Sequence, residues 1–256
     1  MTPHSGMKRR QFLKGAAGAA SLVALAGCDN LSQNSWFPGI LHRAERLTDV
    51  VQRAITPAGA LAKEYPEAEI SAVFPANGNT DPGTRDYAEA AEAGFHDWVV
   101  TIDGLVTTAM QVSLAAIKDM PARTQITRHD CVEGWSAIGK WTGVPLADLL
   151  RKAQPLANAR FAVFHCADVD DEGVAYYESM ALADCYHPQT ILAYELNGRP
   201  LDIPHGAPLR LRFERQLGYK QAKYVRRIEL VESLTGIGGG NGGYWEDQGY
   251  EWYAGI

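Results

Sequence analysis

Apolar side chains along residues 41–64 recur at helical intervals: Leu41, Ala44, Leu47, Val50, Val51 and Ala54, with Pro57 ending or bending the segment. Ile70 to Phe74 predicts a short strand or extended piece, and Pro75-Ala76-Asn77-Gly78-Asn79 is turn chemistry. Residues 97–106 predict a strand running into a turn, and Ser113 caps a short helix to Met120. Gln125 to Cys131 predicts a strand entering a loop. Trp141 to Lys152 predicts a helix opened by Thr142-Gly143-Val144-Pro145.

Further on, Arg160 to Cys166 has the continuous apolar character of a buried strand, Tyr176 to Met180 continues extended, and Ala181 to Cys185 makes a helical turn. Ile191 to Leu196 leads into Asn197-Gly198, a strong hairpin signal. Leu209 to Phe213 alternates as a half-buried strand, and Val225 to Val231 forms another. Short strands interleaved with short helices, without an internal repeat, predict an α+β fold with mixed sheets.

The chain's 256 residues suffice for one sizeable core or two small ones. A net charge of -6 argues against a nucleic-acid partner, which needs a basic face. The basic run of Lys220, Lys223, Arg226 and Arg227 is short; it reads as a solvated strand edge or as a small anion pocket.

The first residues read as an address. Lys8-Arg9-Arg10-Gln11-Phe12-Leu13-Lys14 precedes a small-residue apolar run to Gly27, and no acid occurs before Asp29. A basic head on a short apolar run is an export signal, and the paired arginines match the twin-arginine pattern. Leu25-Ala26-Gly27-Cys28 resembles a lipobox, which makes Cys28 the lipidated residue and Asp29 an inner-membrane retention signal. A plain cleavage site with an incidental cysteine is the other reading. The expected organisation is a signal over 1–27, a tether over 28–40, a catalytic domain over 41–236 and an aromatic tail over 237–256.

With Cys28 lipidated, Cys131, Cys166 and Cys185 remain, and an odd number leaves at least one thiol unpaired or bound to something. No spacing favours zinc. Cys131 ends a strand with Arg128 and His129 close by, a setting that lowers a thiol pKa. Thiolate is what a soft metal requires. From these residues alone Cys131 is a reactive or ligating cysteine, or an inert buried one, and Cys131 with His129 is also a candidate nucleophile pair.

Arg128-His129-x-Cys131-x-Glu133-Gly134-Trp135-Ser136 resembles the loop that carries the metal-binding cysteine in the sulfite oxidase family, which includes the catalytic subunit of periplasmic methionine-sulfoxide reductase. A second block is similar to that family's pterin-binding stretch: Pro188 to Gly198, then His205-Gly206-Ala207-Pro208-Leu209-Arg210-Leu211, then Gly218-Tyr219-Lys220-x-x-Lys223. The likeness runs in order over about residues 95–232.

It implies a sulfite oxidase-like molybdopterin-binding fold and a molybdenum cofactor. Cys131 would be the protein's sulfur ligand to the metal, with Arg128 and His129 facing its open side. Pro75, Ala76, Asn77, Cys166, His205, Arg210, Gln221, Ala222 and Lys223 would line the pterin. For Arg210 the bland alternative is an exposed strand residue, for His205 a turn histidine, and for Cys166 a disulfide with Cys185. The implied reaction is oxygen-atom transfer on a small sulfur oxo-anion or S-oxide. No haem-binding segment precedes the matched stretch and no immunoglobulin-like segment follows it, which implies a monomer and a separate membrane haem, cytochrome or quinone partner. A non-redox binding lipoprotein on the same fold is the alternative of another class. The aromatic residues from Tyr244 to Tyr253 are expected to pack on the body rather than cap the pocket.

Overall fold

The computed structural model describes Val51, Pro57 and residues 59–256. The signal, the tether, Cys28 and most of the expected 41–64 helix lie outside the described residues. Residues 59–64 are not helical: beyond Pro57 the chain runs to a bridge between Glu64 and Thr127.

One sheet has the order β2-β1-β10-β5-β6, built from β1 (Val99–Gly104), β2 (Met110–Ser113), β5 (Phe161–Val169), β6 (Ala175–Ala181) and β10 (Val225–Val231). Within it β1 and β10 pair parallel and the other pairs are antiparallel. The second sheet has the order β3-β4-β7-β8, from β3 (Arg123–Asp130), β4 (Ser136–Pro145), β7 (Ile191–Leu196) and β8 (Arg199–Pro200), with β9 (Arg210–Arg212) also on β7. Among the described residues the α-helices are short: α1 (Arg85–Glu92), α2 (Leu114–Lys118), α3 (Leu146–Ala153), α4 (Leu182–Cys185) and α5 (Tyr244–Asp247). Residues 59–256 belong to one compact unit.

Most elements follow their pattern. The Ser113 hydroxyl accepts from the Ala116 amide and starts α2. Asn197 and Gly198 both take positive φ, 54° and 75°, which closes the β7–β8 hairpin with the twist its strands require. In α3, Leu146, Leu149, Leu150 and Ala153 bury one face completely, while Asp148 and Arg151 pair on the other. Full burial of each such leucine contributes about 2 kcal/mol.

The reading of Trp141 to Lys152 as one helix is wrong at its start. Residues 137, 139, 141 and 143 are buried and 138, 140 and 142 less so, a period of two, and the strand continues to Pro145. Its pairing with β7 shifts between Thr142 and Gly143, where a Cβ on Gly143 would stand 2.2 Å from the Leu192 carbonyl oxygen. Leu209 to Phe213 departs differently. It is a strand, but all three residues of β9 are buried, so alternation there does not mean one wet face. Helix α1 has no counterpart among the sequence expectations.

Candidate functional site

Strands β3 and β4 pair without a break from Arg123–Gly143 to Asp130–Ser136, and the tight loop between them carries Cys131. The Cys131 amide donates to the Trp135 carbonyl (2.9 Å), and the Cys131 carbonyl accepts from Gly134 (3.1 Å). The thiol opens into a cavity of about 590 Å³. Around that cavity four other chain segments converge: Asn77 to Gly83, the β5–β6 connection, the stretch Gly218 to Lys223, and the tail.

The cations behind the cavity are unusual in their company. Arg210 is fully buried; its Nη1 donates to the His205 carbonyl (3.0 Å), its Nη2 to the Gln221 carbonyl (3.4 Å), and its Nε has no partner. The guanidinium lies 5.0 Å from the Trp141 ring centre. Burial, with Arg212 adjacent, pushes its pKa down to about 9. Lys223 lines the cavity, and its ammonium donates to the carbonyls of Asn77 (2.8 Å), Asn79 and Pro204 (3.1 Å). Burial and Arg210 lower it to about 7. A buried cation without a counter-charge is costly, and an incoming anion relieves that cost. Gln221 also lines the cavity, and its buried Oε1 has no partner.

Asp168 belongs to the same wall. Strand β5 loses regular pairing with β6 between His165 and Val169, and this irregularity turns Asp168 inward. The side chain is 3% exposed, its Oδ1 has no partner, and burial raises its pKa to about 6.

His129 and Arg128 do not stand where the resemblance implied. They alternate across β3, so Arg128 is exposed and held by Asp130 (2.9 Å). His129 is fully buried behind the cavity: its Nδ1 accepts from Arg212 Nη1 (2.9 Å), and Arg212 is held in turn by Glu214 (3.0 and 2.6 Å). Gly218 lies directly on the ring, where a Cβ would meet Nε2 at 2.4 Å, so only glycine fits. Burial, Arg212 and Arg210 keep the imidazole neutral, well below the usual histidine range.

The expected lowering of the Cys131 pKa by these two residues is therefore absent; burial raises it. A nucleophile pair needs a histidine that accepts a proton readily, and this one does not. A metal would instead supply the charge that keeps the sulfur deprotonated.

Of the other expected residues, Asn77 lines the cavity, whereas Pro75 and Ala76 are half-buried beside it. The His205 ring is engaged by Asp202 (2.5 Å) and the Phe74 carbonyl (2.9 Å), so its contribution is to place Arg210 through its own carbonyl. Ala222 packs in the core. Cys166 and Cys185 are free thiols, and Cys166 sits off the cavity wall with its pKa pushed well up by burial and Asp168.

The tail corrects its expectation. Tyr244, Trp245 and Tyr250 form one wall of the cavity while Glu246, between them, is buried and bonds Lys220. Asn79, Asp81, Glu133, Asp168, Asp170, Asp171, Tyr176 and Tyr219 are further polar lining residues that were not expected. The acidic run from Asp168 to Glu172 was the one visible signal among them.

Among the described residues no group of three or more His, Cys, Asp or Glu side chains could hold a metal. One thiol beside an anion-accepting pocket suits a metal that arrives already chelated by an organic, phosphate-bearing group. The buried Arg210, Lys223 and unpartnered Gln221 oxygen fit such a group.

Comparison with known proteins agrees. Residues 87–235 match the family model described as "Oxidoreductase molybdopterin binding domain". A protein of Azospira oryzae, provisionally named protein-methionine-sulfoxide reductase subunit YedZ1, is 36% identical over 247 residues, 96% of this chain and 87% of that protein. Among solved structures, the crystal structure of the sulfane dehydrogenase SoxCD from Paracoccus pantotrophus aligns with a TM-score of 0.48 at 21% identity, over 54% of this chain and 39% of that one. The present chain thus spans about two fifths of that protein's length. With more than half its residues matched, this chain belongs to the molybdopterin-binding oxidoreductases of the sulfite oxidase type.

Proposed function

We propose that the protein removes the oxygen atom from an S-oxide, with electrons supplied by a separate membrane haem or quinone partner. The observation that carries this reading is the Cys131 thiol opening into a cavity backed by buried Arg210 and Lys223, neither in an ion pair among the described residues. The methionine-sulfoxide reductase name of the Azospira relative supports the choice of S-oxide over sulfur oxo-anion.

When bound, molybdopterin supplies two-electron oxygen-atom-transfer chemistry. Cys131 would be the protein's sulfur ligand to molybdenum. Lys223 on the cavity wall and Arg210 buried behind it would supply the positive charge that holds the pterin phosphate. Gln221 and Asn77 would offer polar contacts along the same wall. Arg212 fixes the His129 ring in one tautomer behind the Cys131 loop. In the overall reaction the sulfur–oxygen bond breaks, two electrons and two protons are taken up, and a sulfide and water leave. Asp168 is the buried carboxyl on the wall able to hold a proton near neutral pH.

Metal analysis of purified protein tests the reading. The parent should carry close to one molybdenum per chain, and Cys131→Ser should carry far less or show an altered visible spectrum. Dimethyl sulfoxide with a reduced dye, and sulfite with an oxidised dye, then separate the two directions. Metal-free parent, or turnover of sulfite alone, overturns the proposal.

We also propose export through the twin-arginine route and anchoring to the inner membrane through lipidated Cys28. Its support is the Arg9-Arg10 head and the Leu25-Ala26-Gly27-Cys28 run. No helix among the described residues is long and apolar enough to cross a membrane.

A further inference from the structure

The cavity changes character between its depth and its mouth. Cys131 and Lys223 are 7% and 8% exposed, and Lys223 is the one cation among the described lining residues. The exposed part of the lining carries Asp81, Glu133 and Asp171. Asp170, also on the lining and half-buried, is tied by its Oδ2 to the Tyr244 hydroxyl (2.7 Å) and by its Oδ1 to the Glu172 and Val174 amides (2.9 and 2.8 Å). Further in, Asp168 presents its unpartnered Oδ1.

Three large apolar side chains stand exposed on the same lining: Val132 at 44%, Val174 at 50% and Tyr250 at 41%. Exposed apolar side chains gathered at a cavity entrance mark a surface that meets another molecule. These carboxylates come from three separate loops, so no single turn explains their convergence.

A field of one sign over a concave entrance attracts the opposite charge and rejects its own. Resting on the S-oxide reading above, we propose that this acidic, part-apolar rim selects the substrate by charge. It favours an S-oxide side chain borne on a cationic polypeptide segment and disfavours anionic carriers. Val132, Val174 and Tyr250 contact the segment's apolar stems, Asp81, Glu133 and Asp171 face its flanking lysines or arginines, and the S-oxide reaches inward toward Cys131.

The test uses the molybdenum-loaded protein and three blocked peptides of one sequence. Each carries a single methionine sulfoxide flanked by lysines, serines or glutamates, and all share one reduced dye. The quantity read is the ratio of kcat/KM between lysine- and glutamate-flanked peptides, which is independent of the absolute rate. At low salt the ratio should be about tenfold or more, and near 0.5 M salt it should fall toward unity as the charges are screened. The triple variant Asp81→Asn, Glu133→Gln, Asp171→Asn, checked for parental molybdenum content, should lose most of the preference. A ratio within about twofold at low salt, or one unchanged in the triple variant, overturns the rim's role while S-oxide turnover stands. If neither the peptides nor dimethyl sulfoxide are reduced by a molybdenum-replete protein, it is the S-oxide reading itself that fails.

Discussion

Arg210 shows how a single side chain can be placed for a guest rather than for the fold. It makes two hydrogen bonds to carbonyls, lies 5.0 Å from the Trp141 ring centre and forms no ion pair among the described residues. A buried arginine in a mutual ion pair costs about 3–5 kcal/mol when its partner loses it. Arg210→Met should instead leave protein prepared without molybdenum within about 1 kcal/mol of the parent, because a desolvated charge is removed along with two weak bonds. The same variant should lose at least tenfold in molybdenum content. Thermal melting beside metal analysis checks both, and a large loss of stability in the metal-free protein would show the residue to be structural.

Lys223 and Asp168 give a pH signature in the same preparation. Lys223 falls from its ordinary 10.5 to about 7, so between those values the unfolded chain holds more protons and stability rises with pH. Asp168 rises from 3.8 to about 6, so the folded chain holds the extra proton and stability falls across that window as pH rises. Taken alone, the two contributions meet near pH 6–7, while buried His129, lowered well below the usual histidine range, adds a slope opposite to that of Asp168. The difference in melting temperature between parent and variant therefore reads each group: Asp168→Asn should remove a falling contribution below pH 6, and Lys223→Met a rising one above pH 7.

Residues such as Cys131 and Lys223 were legible because they sit in ordered motifs. For Asp168 the acidic run marked the segment, but its inward turn depends on a pairing irregularity with no sequence mark. Arg128 was misplaced because nearness along a strand ignores which face a side chain takes.

At the scale of elements, the tail is fastened from below. Lys220 bonds the buried carboxylates of both Glu178 on β6 and Glu246 on α5. The Tyr219 hydroxyl donates to the Glu251 carbonyl (2.6 Å), and Trp252 Nε1 to the Ser179 hydroxyl (2.8 Å). These ties hold the aromatic wall against the cavity. Lys220→Met leaves two buried carboxyl groups without their cation and should cost about 3–5 kcal/mol. Glu246→Gln retains an acceptor and one ion pair and should cost about 1–2 kcal/mol. Urea unfolding of the two variants measures the order, and the reverse ranking rejects this account of the anchor.

Strands and short helices were readable from periodicity and caps, down to Ser113 and the Asn197-Gly198 turn. The failures have physical causes. Trp141 was drawn into a helix because the apolar spacing of α3 was extended backwards across a strand of period two. Strand β9 was read as half-wet because alternation cannot reveal that both faces are covered. The tail's wall was missed because Gly-rich spacing hides where the chain returns.

For the whole molecule, the proposed export signal and lipid anchor carry a prediction of their own. Cys28→Ala should release the exported protein from the membrane into the soluble periplasmic fraction, as fractionation and labelled fatty acid would show; continued sedimentation with membranes would argue against the lipid anchor. The catalytic unit has its own timing. Its central parallel pair joins β1, Val99–Gly104, to β10, Val225–Val231, more than a hundred positions later. Such distant pairing is slow to form and leaves a strand edge bare meanwhile. During translation β1 has only β2 beside it until nearly the whole chain has emerged from the ribosome. The walls of the cavity therefore close late in synthesis, once Gly218 to Lys223 and the tail have joined the segments made before them.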